Sequence, residues 1–243
     1  MFSHFVTFSD PNPQARFADS DRAALAALIA KIRGLVRAHL LSPAAARDPY
    51  IDDGPAPLLT IQLDFERLEA LEEAAGAGGA LGNLARTPPP SLWRARVAQQ
   101  AMLARSFPPS TATAPPFAGQ SSCSFLVHYP GEPEDFNEWL THYLRHHVPL
   151  MCRFPEVRAV EVYTRVDWID ALPWPRVHHF QRNKIVFDSA AALEQALHSP
   201  VRELMKLDRA RFPAFTGGNV HHPLATQTIV GPAAQVEQPA AHP

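Results

Sequence analysis

Twelve histidines stand among 243 residues, and three pairs of them are adjacent: His146-His147, His178-His179 and His221-His222. Adjacent residues point apart on a helix and on a strand, so a doublet offers no metal-ligand spacing, and no metal centre is expected. His147 differs from the rest. It falls eleven residues after Phe136 and four after Tyr143, in register with the apolar stripe Phe136, Trp139, Leu140, Tyr143, Leu144. An imidazole on a buried stripe needs a hydrogen-bond partner or a ligand. Val148 precedes Pro149, which predicts that the helix ends near His147. The helix C-terminus would raise the ring pKa and burial would lower it, leaving a group near neutrality that can act as acid or base. A core histidine bonded to a backbone carbonyl is the competing reading.

Asp208 is a second polar residue on an apolar helical face, that of Val201, Leu204, Met205 and Phe212, where it could also cap or pair locally with Arg209 or Arg211. His128 and Tyr129 are neighbours on a strand, so one faces the helices and the other the opposite side; the alternation alone leaves open which. Trp139, Trp168, Trp174 and Phe180 would suit an apolar pocket or a packed core. The candidate catalytic set is therefore His147, His128, Tyr129 and Asp208, with Trp139, Tyr143, His179, Phe180 and His222 as candidate substrate contacts.

These residues must be positioned by a repeated set of elements. In the second half, Ser124–Tyr129 alternates as a strand. A helix follows, capped by Asp135 with Glu138 three residues on. Strands are expected at Val160–Val166 and Asn183–Phe187, then a helix opened by Asp188 or Ser189, a short helix from Ser199-Pro200, and a last strand at Asn219–Val230 interrupted by Pro223. The first half echoes this order with a strand at Phe2–Phe8, a helix at Asp21–His39, a strand at Leu58–Leu63, a helix at Phe65–Ala75 and a strand at Val97–Phe107. The segment TIQLDFERLEALEEAA from Thr60 can be laid without a gap on KIVFDSAAALEQALHS from Lys184, matching Ile61 to Ile185 and Asp64 to Asp188. Each half reads as a β-α-β-β-α-β unit with one bare sheet face, so the two sheets are expected to face each other.

Prolines number 25, about twice the usual ~5% share. Those mixed with Ser, Thr and Ala predict a linker at 108–122 between units at 1–107 and 123–230, and a disordered tail at 231–243. The net charge of −2 gives no basic field for nucleic acid, and no apolar run is long enough to span a bilayer, so a cytoplasmic protein with a small-molecule substrate is expected. Cys123 and Cys152 are too few for a disulfide framework and read as reduced, buried thiols.

The runs FNEWLTHYLRHHVPLMCRFPEV and KIVFDSAAALEQALHSPVRELMKLDRARF resemble the EthD family: an aromatic-rich helix ending in His-x-Pro-Leu, a Phe-Pro-x-Val turn, a strand closing in Phe-Asp-Ser, and a Ser-Pro helix with Asp and Phe. The matching residues are His147, Pro149, Leu150, Pro155, Val157, Phe187, Asp188, Ser199, Pro200, Asp208 and Phe212, within a resemblance spanning Phe125 to Ile229. The first half shares only the element order, with His39 as a counterpart of His147 that lacks the following Pro-Leu. The resemblance implies an α+β fold: two fused ferredoxin-like repeats forming a dimeric α/β-barrel within one chain. Fold constrains function weakly here. The leading expectation is a cofactor-independent lyase, dehydratase or isomerase acting on a small aromatic or cyclic intermediate, with His147 moving a proton and His128 or Tyr129 orienting a substrate oxygen. The alternatives are a cofactor-free monooxygenase, a heme or metal binder, and a non-catalytic accessory protein. Fusion removes the need for a second chain, although a homodimer stays open.

Overall fold

In the computed structural model, residues 1–12, 14–109 and 121–236 are described. The first repeat runs β1 (Phe2–Ser9), α1 (Asp19–Ile29), β2 (Leu35–Pro43), β3 (Leu59–Phe65), α2 (Leu68–Ala75), α3 (Ala80–Arg86) and β4 (Arg96–Phe107). The second runs β5 (Ser121–Tyr129), α4 (Phe136–His142), a π-helical turn Tyr143–His147, α5 (Val148–Met151), β6 (Val157–Arg165), β7 (Gln181–Phe187), α6 (Ala190–Leu197), α7 (Pro200–Arg209) and β8 (Val220–Val230). A short helix α8 (Pro232–Val236) follows. The eight strands close a barrel in the order β1-β3-β2-β8-β5-β7-β6-β4. Each repeat supplies one four-stranded antiparallel sheet of ferredoxin-like order, and the seams β2/β8 and β4/β6 join the sheets along both edges. The edges that would have been left unpaired are thereby satisfied inside one chain.

Alternation along the strands sorts residues into three cores. Outward-facing Val6, Ile61, Leu63 and Ala38 pack under the helices of the first repeat, and outward-facing Phe125, Val127, Val160 and Ile185 under those of the second. Inside the barrel, Phe5, Leu41, Met102, Leu126, Tyr163 and Leu224 form a third cluster. The sheets thus face each other and enclose a common interior, which is only partly apolar. It also holds an ionic network that crosses between repeats. Arg37 donates to Asp64 (2.7 Å) and to Glu161, and Lys184 lies 2.8 Å from Glu161 and donates to Gln62 at 2.7 Å. Tyr163 donates to Glu161 at 2.6 Å, and Ser3 donates to Asp64 at 2.6 Å. Burial opposes ionisation of both acids, yet the attraction of Lys184 and Arg37 for Glu161, and of Arg37 for Asp64, holds both below the usual carboxylate range.

Several boundaries differ from expectation. Asp21–His39 is not one helix. α1 stops at Ile29, Gly34 turns the chain at φ 75°, and β2 begins at Leu35, which places His39 on a strand with its ring inside the barrel, bonded to Thr228 (3.0 Å), and not as a counterpart of His147. The helix α3 was also not anticipated. The second-repeat helix does not end at His147 but continues through α5, because the widened π turn relieves the clash of Pro149 with the preceding turn. The sequence matching of the repeats is two residues out of step. The bulges at Leu35/Arg37 and Val157/Ala159 occupy equivalent places and pair with Phe65 and Phe187, so Ile61 corresponds to Asn183 and not to Ile185. A slip of two preserves which face each side chain takes and is invisible to alternation. Of the expected linker, Ser121 and Ser122 belong to β5, and residues 110–120 lie outside the described residues; of the expected tail, Pro232–Val236 is helical and 237–243 lies outside them. Both cysteines are free and buried. Among the described residues, no helix is long and apolar enough to cross a membrane.

Two outcomes follow from these buried charges. Glu161→Gln leaves Lys184 buried without a carboxylate, while Arg37 keeps Asp64, and is expected to lower stability by about 3–5 kcal/mol, read from urea unfolding midpoints. Burial pushes His4 and His39 from the ordinary 6.5 down to about 4 and about 3. Between those values the unfolded chain binds more protons than the folded one, so stability is expected to fall as pH drops below about 6.5, by up to ~1.4 kcal/mol per pH unit per histidine. A midpoint unchanged between about pH 7.5 and pH 5 would contradict neutral burial.

Candidate active site

The site is built on the outer face of the second sheet. β5 turns Phe125, Val127 and Tyr129 toward the helices, β7 adds Asn183 and Ile185, and α6 and α7 close the space with Leu197 and Met205. Between them lies a cavity of about 370 Å³ with His147 in its wall. That volume suits a small ligand of one or two rings. Arg202, Glu203, Lys206 and Arg209 of α7 give the cavity a charged border against the apolar sheet.

His147 is 6% exposed, and its Nδ1 lies 2.8 Å from Asp208 Oδ2. The other Asp208 oxygen lies 3.1 Å from His142 Nε2. One carboxylate therefore bridges two histidines five residues apart. In an undistorted α-helix such residues point about 140° apart, so both could not reach one carboxylate. The π turn over Tyr143–His147 adds the extra residue that brings them to one face. With Nδ1 committed to Asp208, Nε2 is the ring nitrogen left without a protein partner among the described residues. Burial pushes the His147 pKa down to about 4, with the bond to Asp208 and its charge acting in the opposite direction. The ring is neutral at pH 7, carries its proton on Nδ1 toward the carboxylate, and presents a lone pair on Nε2. The expected rise from a helix C-terminus has no counterpart, since the helix continues.

Two further polar groups face this space. Tyr129 Oη is 3.3 Å from Tyr143 Oη, and burial pushes the Tyr129 phenol up to about 12, so it stays protonated. Asn183 donates its amide to Met151 Sδ at 3.2 Å, while its Oδ1 is buried and has no partner among the described residues. Of the sequence candidates, His147, Tyr129 and Asp208 are brought together here. Tyr143, Trp139 and Phe180 form the aromatic mass behind Tyr129, with ring centroids 5.8, 5.4 and 5.8 Å from it, and do not line the cavity. His128 and His222 are not at the site. Strand parity sends them into the barrel, where the His128 ring stacks on His179 at 5.1 Å and meets His222 edge-on at 5.6 Å.

Sequence reading missed the segment between β2 and β3. It crosses from the first repeat onto the second, bringing Tyr50 and Ile51 to the cavity; Arg202 pairs with Asp48 at 3.2 Å and His221 lies 2.7 Å from Asp53. The equivalent segment between β6 and β7 crosses the other way, and there Trp168 and Trp174 pack into the first-repeat core, Trp174 against Phe8 at 6.1 Å. α1 offers Leu25 and Ile29 to that core and no histidine.

No family model matches the chain, and no curated protein matches its sequence. Solved structures do match. An anthrone oxidase-like protein superposes with a TM-score of 0.64 at 14% identity, covering 100% of this chain and 96% of that one. A candidate monooxygenase from Lactobacillus acidophilus NCFM gives a TM-score of 0.56 at 10% identity, covering 94% and 95%. An EthD family protein from Bacillus halodurans C-125 matches 41% of this chain and 96% of its own at 21% identity, with a TM-score of only 0.32. At such identities the likeness concerns architecture alone, and the architecture is that of the dimeric α/β-barrel, closed here within a single polypeptide.

Proposed function

We propose that the cavity beside His147 is the active site of an enzyme that removes a proton from a small cyclic or aromatic carbon acid. The observation that carries this reading is the His147–Asp208 pair, with Nδ1 held at 2.8 Å and the ring in the cavity wall. Nε2 accepts the substrate proton, and Asp208 stabilises the imidazolium that forms. The Asn183 oxygen and the Tyr129 hydroxyl are available to substrate polar groups, and the apolar sheet keeps water from the carbanion. The carbanion has two fates. It can react with dioxygen directly, a route favoured by full-length likeness to an anthrone oxidase-like protein and a candidate monooxygenase. Otherwise it is reprotonated elsewhere or expels a leaving group, giving isomerisation or elimination.

Proton removal is common to both fates and can be measured alone. Incubated without oxygen in D₂O with a panel of cyclic ketones, anthrone among them, the protein is expected to exchange the acidic C–H, and His147→Gln to slow exchange by ~10²- to 10⁴-fold. A panel in which no compound exchanges faster with the native protein than with His147→Gln would overturn the reading. Admitting air then separates the fates, because only the oxygenase consumes dioxygen. The pH profile tests the pair itself. Activity needs neutral His147, so its acid limb is expected near the folded pKa of about 4. Asp208 raises that value, so Asp208→Asn is expected to weaken the base and move the limb to lower pH; a limb moving upward would contradict the assignment.

A further inference from the structure

The His128 cluster inside the barrel is unexplained by the cavity beside His147, from which the second sheet divides it. Arg182 of β7 stands in register with His128 on one side and Tyr163 on the other. The residue is 1% exposed. Its guanidinium lies over the Phe5 ring at 4.7 Å, and Nη2 donates to Gln100 Oε1 at 3.3 Å. Nε and Nη1 are buried and have no acceptor among the described residues, and the same holds for Nδ1 of His128 and of His179. No Asp or Glu among the described residues lies within ion-pair distance of Arg182. The barrel's other cations are treated differently: half-buried Arg37 meets Asp64 and Glu161, and buried Lys184 meets Glu161.

A buried cation without a carboxylate, beside ring nitrogens without partners, is a set of donors whose acceptor comes from outside the chain. We propose that Arg182, His128, His179 and His222 form a binding site for a compact monoanion, a carboxylate or a halide, inside the barrel and separate from the His147 cavity. One charge is needed, because the three histidines are neutral and Arg182 alone is cationic; burial pushes the Arg182 pKa down to about 9, as expected of a guanidinium waiting for a counter-ion. The open nitrogens of Arg182 share the barrel interior with Phe5, Tyr163 and Gln100, which suits an ion of one or a few atoms over a phosphate ester or an aromatic acid.

Bromide and formate are the probes. At constant ionic strength, with sulfate as the balancing anion, the thermal midpoint of the native protein is expected to rise with the logarithm of bromide or formate concentration. In Arg182→Met, which keeps the side-chain bulk without the charge, the dependence should vanish. Anomalous diffraction from bromide-soaked native crystals reads the site with no variant, and a bromide peak at hydrogen-bonding distance from an Arg182 nitrogen is expected. Ordered water alone at that position overturns the proposal. So does a bromide peak with no bromide-dependent midpoint in the native protein, which means an adventitious ion only. If Arg182→Met does not fold, the native titration and the diffraction decide together.

Discussion

Closure of the barrel is the constraint on which the remaining structure depends. Once β2 pairs with β8 and β4 with β6, every strand residue has one of two fates, inside the ring or under the helices. A ring of eight short strands has an interior only as wide as its side chains, and water there cannot solvate a charge freely. The polar residues that point inward are therefore driven to satisfy one another, Arg182 and its neighbouring histidines being the exception. The pairs that do so are formed across the repeats: Arg37 of β2 with Glu161 of β6, and Lys184 of β7 with Gln62 of β3. Such an arrangement can hold only when both halves are in register. The ionic interior contributes less as stability than as specificity for one relative placement of the two sheets.

The same closure explains why two similar repeats differ in what they offer a ligand. Each sends the connection between its second and third strands across a seam to cover the other's helical face. The connection that lands on the first repeat carries Trp168 and Trp174, whose bulk joins the core. The one that lands on the second repeat carries Tyr50 and Ile51 and is fastened by Asp48 to Arg202 and by Asp53 to His221, which leaves a chamber beneath it. Pseudo-symmetry at the level of strands thus coexists with asymmetry at the level of packing, and the cavity belongs to both halves of the chain.

The parts legible in the sequence were those governed by a period. Strand and helix alternation located all of β5 to β8 to within a few residues and put His147 and Asp208 on buried faces, because a helical stripe determines which side chains share a surface. β2 was lost inside an imagined helix, since LVRAHLL carries apolar residues at both helical and strand spacing; Gly34, whose positive φ breaks the chain just before it, was the available signal. Alternation separated His128 from Tyr129 but could not say which faces the helices, because two faces of a strand are equivalent until the sheet is closed. Nothing local marked Tyr50, Asp48 or Asp53 as neighbours of the site, as coil has no period and its contacts are settled by the partner surface.

The bridging carboxylate makes a stronger case for chemistry than His147 could make alone. A buried histidine that served packing would be satisfied by any acceptor within reach, and a regular helix would provide a carbonyl at no conformational cost. Here the helix departs from regular geometry over Tyr143–His147, and the result is that His147 and His142 meet the same Asp208. Burial strongly favours the neutral ring, while the carboxylate that orients it through Nδ1 attracts it most once a proton arrives on Nε2. The arrangement contributes little to a resting neutral histidine and much to a protonated one. That difference between two protonation states is what a group that receives and returns a proton requires.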